Sequence, residues 1–104
     1  MKIMLLGSYT SSALNGLLSG SDRKAAVDAM LSQVGGTLDQ FSFTRGDYDV
    51  FVGATVPDGT SLPGIAMALR ASGAFEKAVA LEDVNINEVL DVARKLSVSY
   101  SPAG

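Results

Sequence analysis

The segment from Arg45 to Asp49 places a guanidinium, a phenol and a carboxylate close together, and such groups bind small molecules or transfer protons. Tyr9 ends a predicted first strand, and Tyr48 begins a predicted third strand. Antiparallel pairing of these strands would bring both tyrosines to the same end of a sheet. We therefore predict that Tyr9, Arg45, Tyr48 and Asp49 line the mouth of a ligand-binding pocket.

A structural role is the alternative interpretation of the same residues. Gly46 and Asp47 suit a tight turn, after which Tyr48 and Asp49 start a strand with their side chains on opposite faces. A partly buried Asp49 needs hydrogen-bond donors, and Arg45 or an N–H group of the turn is the nearest source. Asp49 would then cap the turn while Tyr48 fills the edge of the core. We favour this structural role for Asp49.

Composition narrows the chemistry, because the chain of 104 residues contains no His and no Cys. This excludes a disulfide framework, a zinc–thiolate site, a thiol nucleophile and a histidine base. The carboxylate pairs, Asp47 with Asp49 and Glu82 with Asp83, are too few to hold a metal without further ligands. We therefore assign no catalytic residue, no metal site and no cofactor from the sequence.

Positive charge is sparse and dispersed along the chain. Eight Lys and Arg residues against eleven Asp and Glu give a net charge of −3, which argues against nucleic acid as a partner. Arg23 and Lys24 stand at the start of a predicted helix, where an anion can bind, although a solvated helix face is the simpler explanation.

Hydrophobic periodicity and turn residues predict the elements that position these side chains. The order of strands and helices is β-α-β-β-α-β, followed by one more helix. This order predicts an α+β, ferredoxin-like fold, with one four-stranded antiparallel sheet, helices on one face and an extra C-terminal helix. At this length, residues 1–104 form a single domain. The predicted strands are 2–9, 37–44, 48–56 and 75–81; the predicted helices are a short one after Thr10, then 22–34, about Thr60 to Gly73, and one after Asn85, with a frayed tail over 97–104.

Two strands are apolar on both faces, whereas a sheet with helices on one side normally alternates apolar with polar residues. In the first strand, Ile3 and Leu5 lie on one face while Met4 and Leu6 lie on the other. In the third, Phe51 faces away from the main valine stripe. Either these side chains are simply exposed, or the terminal helix or the sheet of another subunit covers them. We expect a cover, and hence a homodimer or larger homo-oligomer.

Gly46, Tyr48 and Asp49 form a Gly-x-Tyr-Asp turn. Together with other short motifs along the chain, this turn resembles, in order and spacing, the pattern of the GYD-domain family, which is named for it. The resemblance covers about residues 3–82 and implies a ferredoxin-like subunit that can dimerise in the manner of dimeric α+β barrels. It implies little about activity. The other matching elements are Tyr9-Thr10, Arg23, Gly35-Gly36, Pro57-Asp58 and Gly73.

The sequence is compatible with three kinds of function. The main hypothesis is a homo-oligomeric small-molecule-binding or assembly domain. The alternative is a cofactor-free monooxygenase- or isomerase-like enzyme with its pocket at the Tyr48–Asp49 corner, and a regulatory partner-binding module is the third. A pocket of at least about 300 Å³ reached by Tyr9, Arg45, Tyr48 or Asp49 would favour ligand binding or catalysis.

The expected location is the cytoplasm. The apolar run Ile3–Leu6 is too short for the core of a signal peptide. No segment approaches the length of a membrane-spanning helix, so we expect a soluble protein without a membrane partner.

Overall fold

A computed structural model describes residues 1–101 of the chain. Over these residues the strands and helices follow the predicted order. The last helix ends at Ser97, and the predicted tail is described as far as Ser101, so its final three residues lie outside the described part. The elements are β1 (Lys2–Tyr9), α1 (Ser11–Leu18), α2 (Arg23–Ser32), β2 (Thr37–Phe43), β3 (Val50–Thr55), α3 (Leu62–Ala71), β4 (Phe75–Glu82) and α4 (Ile86–Ser97).

Each helix begins at a residue whose side chain accepts a hydrogen bond from a backbone N–H group of the first turn. Such caps satisfy donors that the helix itself leaves unpaired. Gly73 follows α3 with a φ of +81°, a conformation that glycine adopts without steric cost. Local sequence therefore sets where the helices start. The caps are Thr10 for α1, Asp22 for α2, Ser61 for α3 and Asn85 for α4.

The strands form one antiparallel sheet in the order β2-β3-β1-β4. The two inner strands are β1 and β3, and Leu5 of β1 lies opposite Val52 of β3 and Ala80 of β4. This order, with crossover helices between the strands, is the ferredoxin-like arrangement that the sequence predicts.

The core lies between the sheet and the helices α2 and α3. Ile3 and Val52 from the inner strands, Leu31 from α2 and Ile65 from α3 are all buried. The alternation of buried residues along β1 and β3 explains why one face of the sheet belongs to this core.

No helix within residues 1–101 covers the opposite face of the sheet. Met4 and Leu6 of β1 and Phe51 of β3 lie on this face and are half-buried. Val79 and Leu81 of β4 lie opposite Leu6 and Met4 and extend the apolar patch to the edge of the sheet. We call these five residues the open-face patch.

One boundary that matters for the site differs from the sequence-based expectation. The third strand begins at Val50 rather than at Tyr48, so Tyr48 and Asp49 belong to the connection that precedes it. Of the two covers considered for the second sheet face, the terminal helix of the same chain does not serve, since every residue of α4 is exposed. The described chain is elongated as a result, with extents of 57, 32 and 23 Å.

No helix over residues 1–101 combines the length and the hydrophobicity that crossing a bilayer requires.

The helix-side core predicts a sharp difference between two positions of α2. Leu31→Asp should unfold the protein, because Leu31 is 0% exposed and an unpaired buried charge costs several kcal/mol. That cost is a large share of a typical stability of about 5–15 kcal/mol. Ala29→Asp is the control, since Ala29 is exposed on the same helix. Thermal melting followed by circular dichroism distinguishes them, and a Leu31→Asp melting point near that of the parent would contradict this core.

Candidate functional site

A cleft of about 280 Å³ lies between α2 and α3, over the end of β1 and the start of β4. Its size approaches the range of small-molecule sites. Small residues on the facing helices, including Ala26 and Ala68, leave this space unfilled. The walls are mainly apolar and come from Val27, Met30, Leu69 and Phe75.

Tyr9 forms one wall of the cleft and is 4% exposed. Its ring packs on Phe75 with a centroid distance of 5.1 Å and an interplanar angle of 31°. Gly7 makes this packing possible, because a Cβ atom there would lie 2.6 Å from the ring of Phe75. The hydroxyl of Tyr9 is buried and has no hydrogen-bond partner among the described residues.

Burial raises the pKa of the Tyr9 phenol, because the charged phenolate loses its hydration. The guanidinium of Arg23 lowers this pKa, and the carboxylate of Asp49 raises it again. The net direction is upward from the ordinary value of 10.0, so Tyr9 keeps its proton at neutral pH and its hydroxyl can donate a hydrogen bond.

A second cavity, of about 320 Å³, adjoins the cleft and shares Arg23, Ser72 and Ala74 with it. Its other lining residues include Ser12 and Ser21. Two of the atoms in this region, the Nε of Arg23 and the Oγ of Ser21, are buried without a hydrogen-bond partner among the described residues. With the Tyr9 hydroxyl, three unpartnered polar atoms belong to side chains that line one or both cavities.

Asp49 fixes the end of β1. Its Oδ2 accepts a hydrogen bond of 2.8 Å from the backbone N–H of Tyr9, and its own N–H donates to the carbonyl of Gly7 at 2.8 Å. The predicted need for a donor is therefore met by the backbone of β1, rather than by Arg45 or the turn. Through this contact, Asp49 of the Gly-x-Tyr-Asp motif holds Tyr9 where its ring lines the cleft.

The other candidate residues lie away from the cleft. Arg45 is exposed and Tyr48 is half-buried, and neither lines either cavity. The carbonyl of Tyr48 accepts a 2.6 Å hydrogen bond from the hydroxyl of Thr44, which orders the connection before β3. The structure thus brings Tyr9 and Asp49 together, while ligand contact at Arg45 and Tyr48 stays a prediction.

Arg23 and Ser21 contribute more to the two cavities than sequence reasoning suggested. The start of a helix hinted at an anion for Arg23, but no pattern in the sequence indicates that its Nε is buried. Nothing in the sequence marks Ser21 as a site residue, because a serine that precedes a helix is accounted for by its position in the loop. Within residues 1–101, no three acidic side chains lie close enough together to hold a metal ion.

The chain matches a known protein family. The family model for the GYD domain matches residues 3–93, so the chain belongs to the GYD-domain family. The match reaches into α4, beyond residue 82, where the motif resemblance ends. No curated protein and no solved structure matches the chain.

The Asp49 contact predicts different outcomes for two substitutions. Asp49→Asn should reduce the free energy of unfolding by about 1 kcal/mol or less, because an amide oxygen still accepts from the Tyr9 N–H. Asp49→Ala should cost about 1–3 kcal/mol, because that N–H loses its partner. Urea unfolding measures both.

Asp47→Ala is the matched control, since Asp47 uses its backbone carbonyl, not its side chain, to accept from Ser8. Equal stability of Asp49→Ala and Asp47→Ala would show that the carboxylate does not hold β1.

Proposed function

We propose that this GYD-domain protein is a homo-oligomer that binds a small molecule in the cleft beside Tyr9 and Arg23. The observation that supports ligand binding is the set of three buried, unpartnered polar atoms at the two adjoining cavities. A buried polar atom without a partner costs about 1–3 kcal/mol. A ligand that hydrogen-bonds to these atoms would recover part of that cost.

Binding fits the cleft better than base catalysis does. Among the cleft residues, Tyr9 and Arg23 are the ionisable ones. Arginine side chains keep their charge in proteins, and the raised pKa of Tyr9 keeps its phenol protonated. Both groups therefore donate hydrogen bonds at neutral pH instead of abstracting protons. The enzyme alternative remains tied to the Tyr48–Asp49 corner, where the Asp49 carboxylate is already engaged by Tyr9.

Self-association is supported by two apolar surfaces that the described chain leaves uncovered. The open-face patch occupies the sheet face opposite the helices. The second surface is the apolar stripe of α4, which Ile86, Val89, Leu90, Ala93 and Leu96 form at helical spacing. We assign a second copy of the chain as the partner of both surfaces.

The dimensions of α4 and the sheet are compatible with such a contact. A helix of 12 residues is about 18 Å long, and four strands spaced about 4.8 Å apart present a face of similar width. Packing α4 of each copy on the sheet of the other would cover both surfaces at once. Two such contacts, related by symmetry, are the kind of closed interface that homodimers form.

The ligand-binding part of the proposal predicts that filling the cleft abolishes binding. Ala68 and Ala71 are both exposed on α3, but only Ala68 lines the cleft. Ala68→Phe therefore places a ring in the cleft, whereas Ala71→Phe places one outside it. A metabolite mixture screened by native mass spectrometry should yield a bound species with the parent protein and with Ala71→Phe. Ala68→Phe should weaken that binding at least tenfold without a change in fold. Unchanged binding in Ala68→Phe would move the site elsewhere.

The assembly part predicts a mass of at least twice 10.7 kDa in light scattering at micromolar concentration. Leu90→Asp and Leu81→Asp each place a charge on one of the two exposed apolar surfaces. They should yield folded monomers, because burying the charge opposes association. Lys95→Asp, on the polar side of α4, should leave the mass unchanged. A monomeric parent protein would contradict the assembly.

A further inference from the structure

We infer that the ligand of the Tyr9–Arg23 cleft is a small organic monocarboxylate with an apolar body, an inference that rests on the proposed ligand-binding function. Its carboxylate would lie at Arg23 and Ser21, and its body between α2 and α3. The argument uses the hydrogen-bonding character of the unpartnered atoms, the charge of Arg23, and the walls and volume of the cleft.

The unpartnered atoms lack acceptors. The Nε–H of Arg23 can only donate, and the protonated hydroxyl of Tyr9 also carries a hydrogen to donate. The hydroxyl of Ser21 can donate as well. The Nε–H of Arg23 therefore requires an acceptor, and the two hydroxyls can donate to the same kind of group; a carboxylate brings two acceptor oxygens.

The charge of Arg23 favours an anion over a neutral acceptor. No carboxylate lies within 4.0 Å of its guanidinium among residues 1–101, where the two ion pairs are Met1 with Asp58 and Arg94 with Asp91. The adjacent Asp22 is occupied as the cap of α2, accepting from the N–H of Ala25 at 3.0 Å. A ligand carboxylate would supply the missing counter-charge, and a guanidinium binds a carboxylate through charge-assisted hydrogen bonds.

The cleft sets the chemistry and size of the rest of the ligand. Val27, Met30, Leu69 and Phe75 offer hydrocarbon surface and an aromatic ring. A volume of about 280 Å³ admits on the order of ten non-hydrogen atoms, given that a water molecule takes about 30 Å³. The neighbouring cavity, with Ser12, Ser21 and Ser72 in its lining, is the polar side toward which the carboxylate would point.

Matched acid and amide probes test the charge of the ligand separately from binding itself. Phenylacetate and phenylacetamide have the same shape and ten non-hydrogen atoms each, and octanoate with octanamide forms a second, aliphatic pair. Titration followed by amide chemical shifts of the protein gives affinity and location together. We expect each acid to bind at least tenfold more tightly than its amide, with the largest shifts at Tyr9, Ser21 and Phe75.

Three arginine variants test whether Arg23 produces that preference. Arg23→Met keeps the hydrocarbon stem and should bring the acid and the amide to equal affinity. Arg70→Met is the control and should keep the tenfold preference, because Arg70 is exposed on α3 and outside the lining of both cavities. Arg23→Lys keeps the charge without the planar fork and should retain part of the preference. Melting temperatures within a few degrees of the parent show that each variant is folded.

The possible outcomes separate the inference from the proposed function. If the amides bind in the cleft as tightly as the acids, the carboxylate assignment is wrong while the ligand-binding function stands. If inorganic phosphate binds at Arg23 and neither acid does, the site takes a free anion without an apolar body, and the assignment is also wrong. If no probe shifts any cleft residue, the ligand-binding function fails together with the inference.

Discussion

The hydrogen bond between the backbone N–H of Tyr9 and the carboxylate of Asp49 is the contact on which the site depends. β1 pairs with β3 as far as Gly7 and Val50. Beyond this pair, the carboxylate of Asp49 accepts a hydrogen bond from the backbone N–H of Tyr9. The next residue, Thr10, caps α1 and also donates its N–H to the carbonyl of Ala74 at 2.9 Å. One short stretch of chain thereby joins β1, α1, the start of β4 and the connection before β3.

The aromatic packing above this junction shapes the cleft. Tyr9 lies opposite Phe75 in the β1–β4 register, which places both rings on the helix side of the sheet. Gly7 leaves the room that the ring of Phe75 occupies. The cleft therefore combines an aromatic floor with helix walls whose small side chains keep it open. This arrangement leaves the Tyr9 hydroxyl buried without a partner among residues 1–101, and a buried polar group of this kind calls for a specific explanation.

The two parts of the proposed function use opposite faces of one sheet. The cleft lies on the side that α2 and α3 cover, and the open-face patch lies on the other. Ligand binding in the cleft consequently leaves the apolar sheet surface available for self-association. The exposed stripe of α4 adds a second surface of the same chemical kind, which an isolated chain of this composition would leave in contact with water.

Local patterns in the chain were sufficient to predict the elements, their order and the family. The start of each helix could be predicted closely, because hydrophobic periodicity and capping residues are both local signals in the chain. The capping residues are Thr10, Asp22, Ser61 and Asn85. Apolar residues at both odd and even positions of β1, together with Phe51 in β3, predicted that the inner strands have two apolar faces. The Gly-x-Tyr-Asp motif identified the family that the full match establishes.

The location of the cleft and the position of α4 depend on how distant parts of the chain pack together, and only the three-dimensional structure shows them. The contact between Tyr9 and Asp49 joins residues 40 positions apart, and no local pattern specifies which atom of Tyr9 the carboxylate meets. The burial of Arg23 Nε depends on how α2 packs beside the end of α3, and the sequence of α2 does not contain that information. The amphipathic pattern of α4 predicts a helix with an apolar stripe but not the surface that receives it, because hydrophobic burial is non-directional.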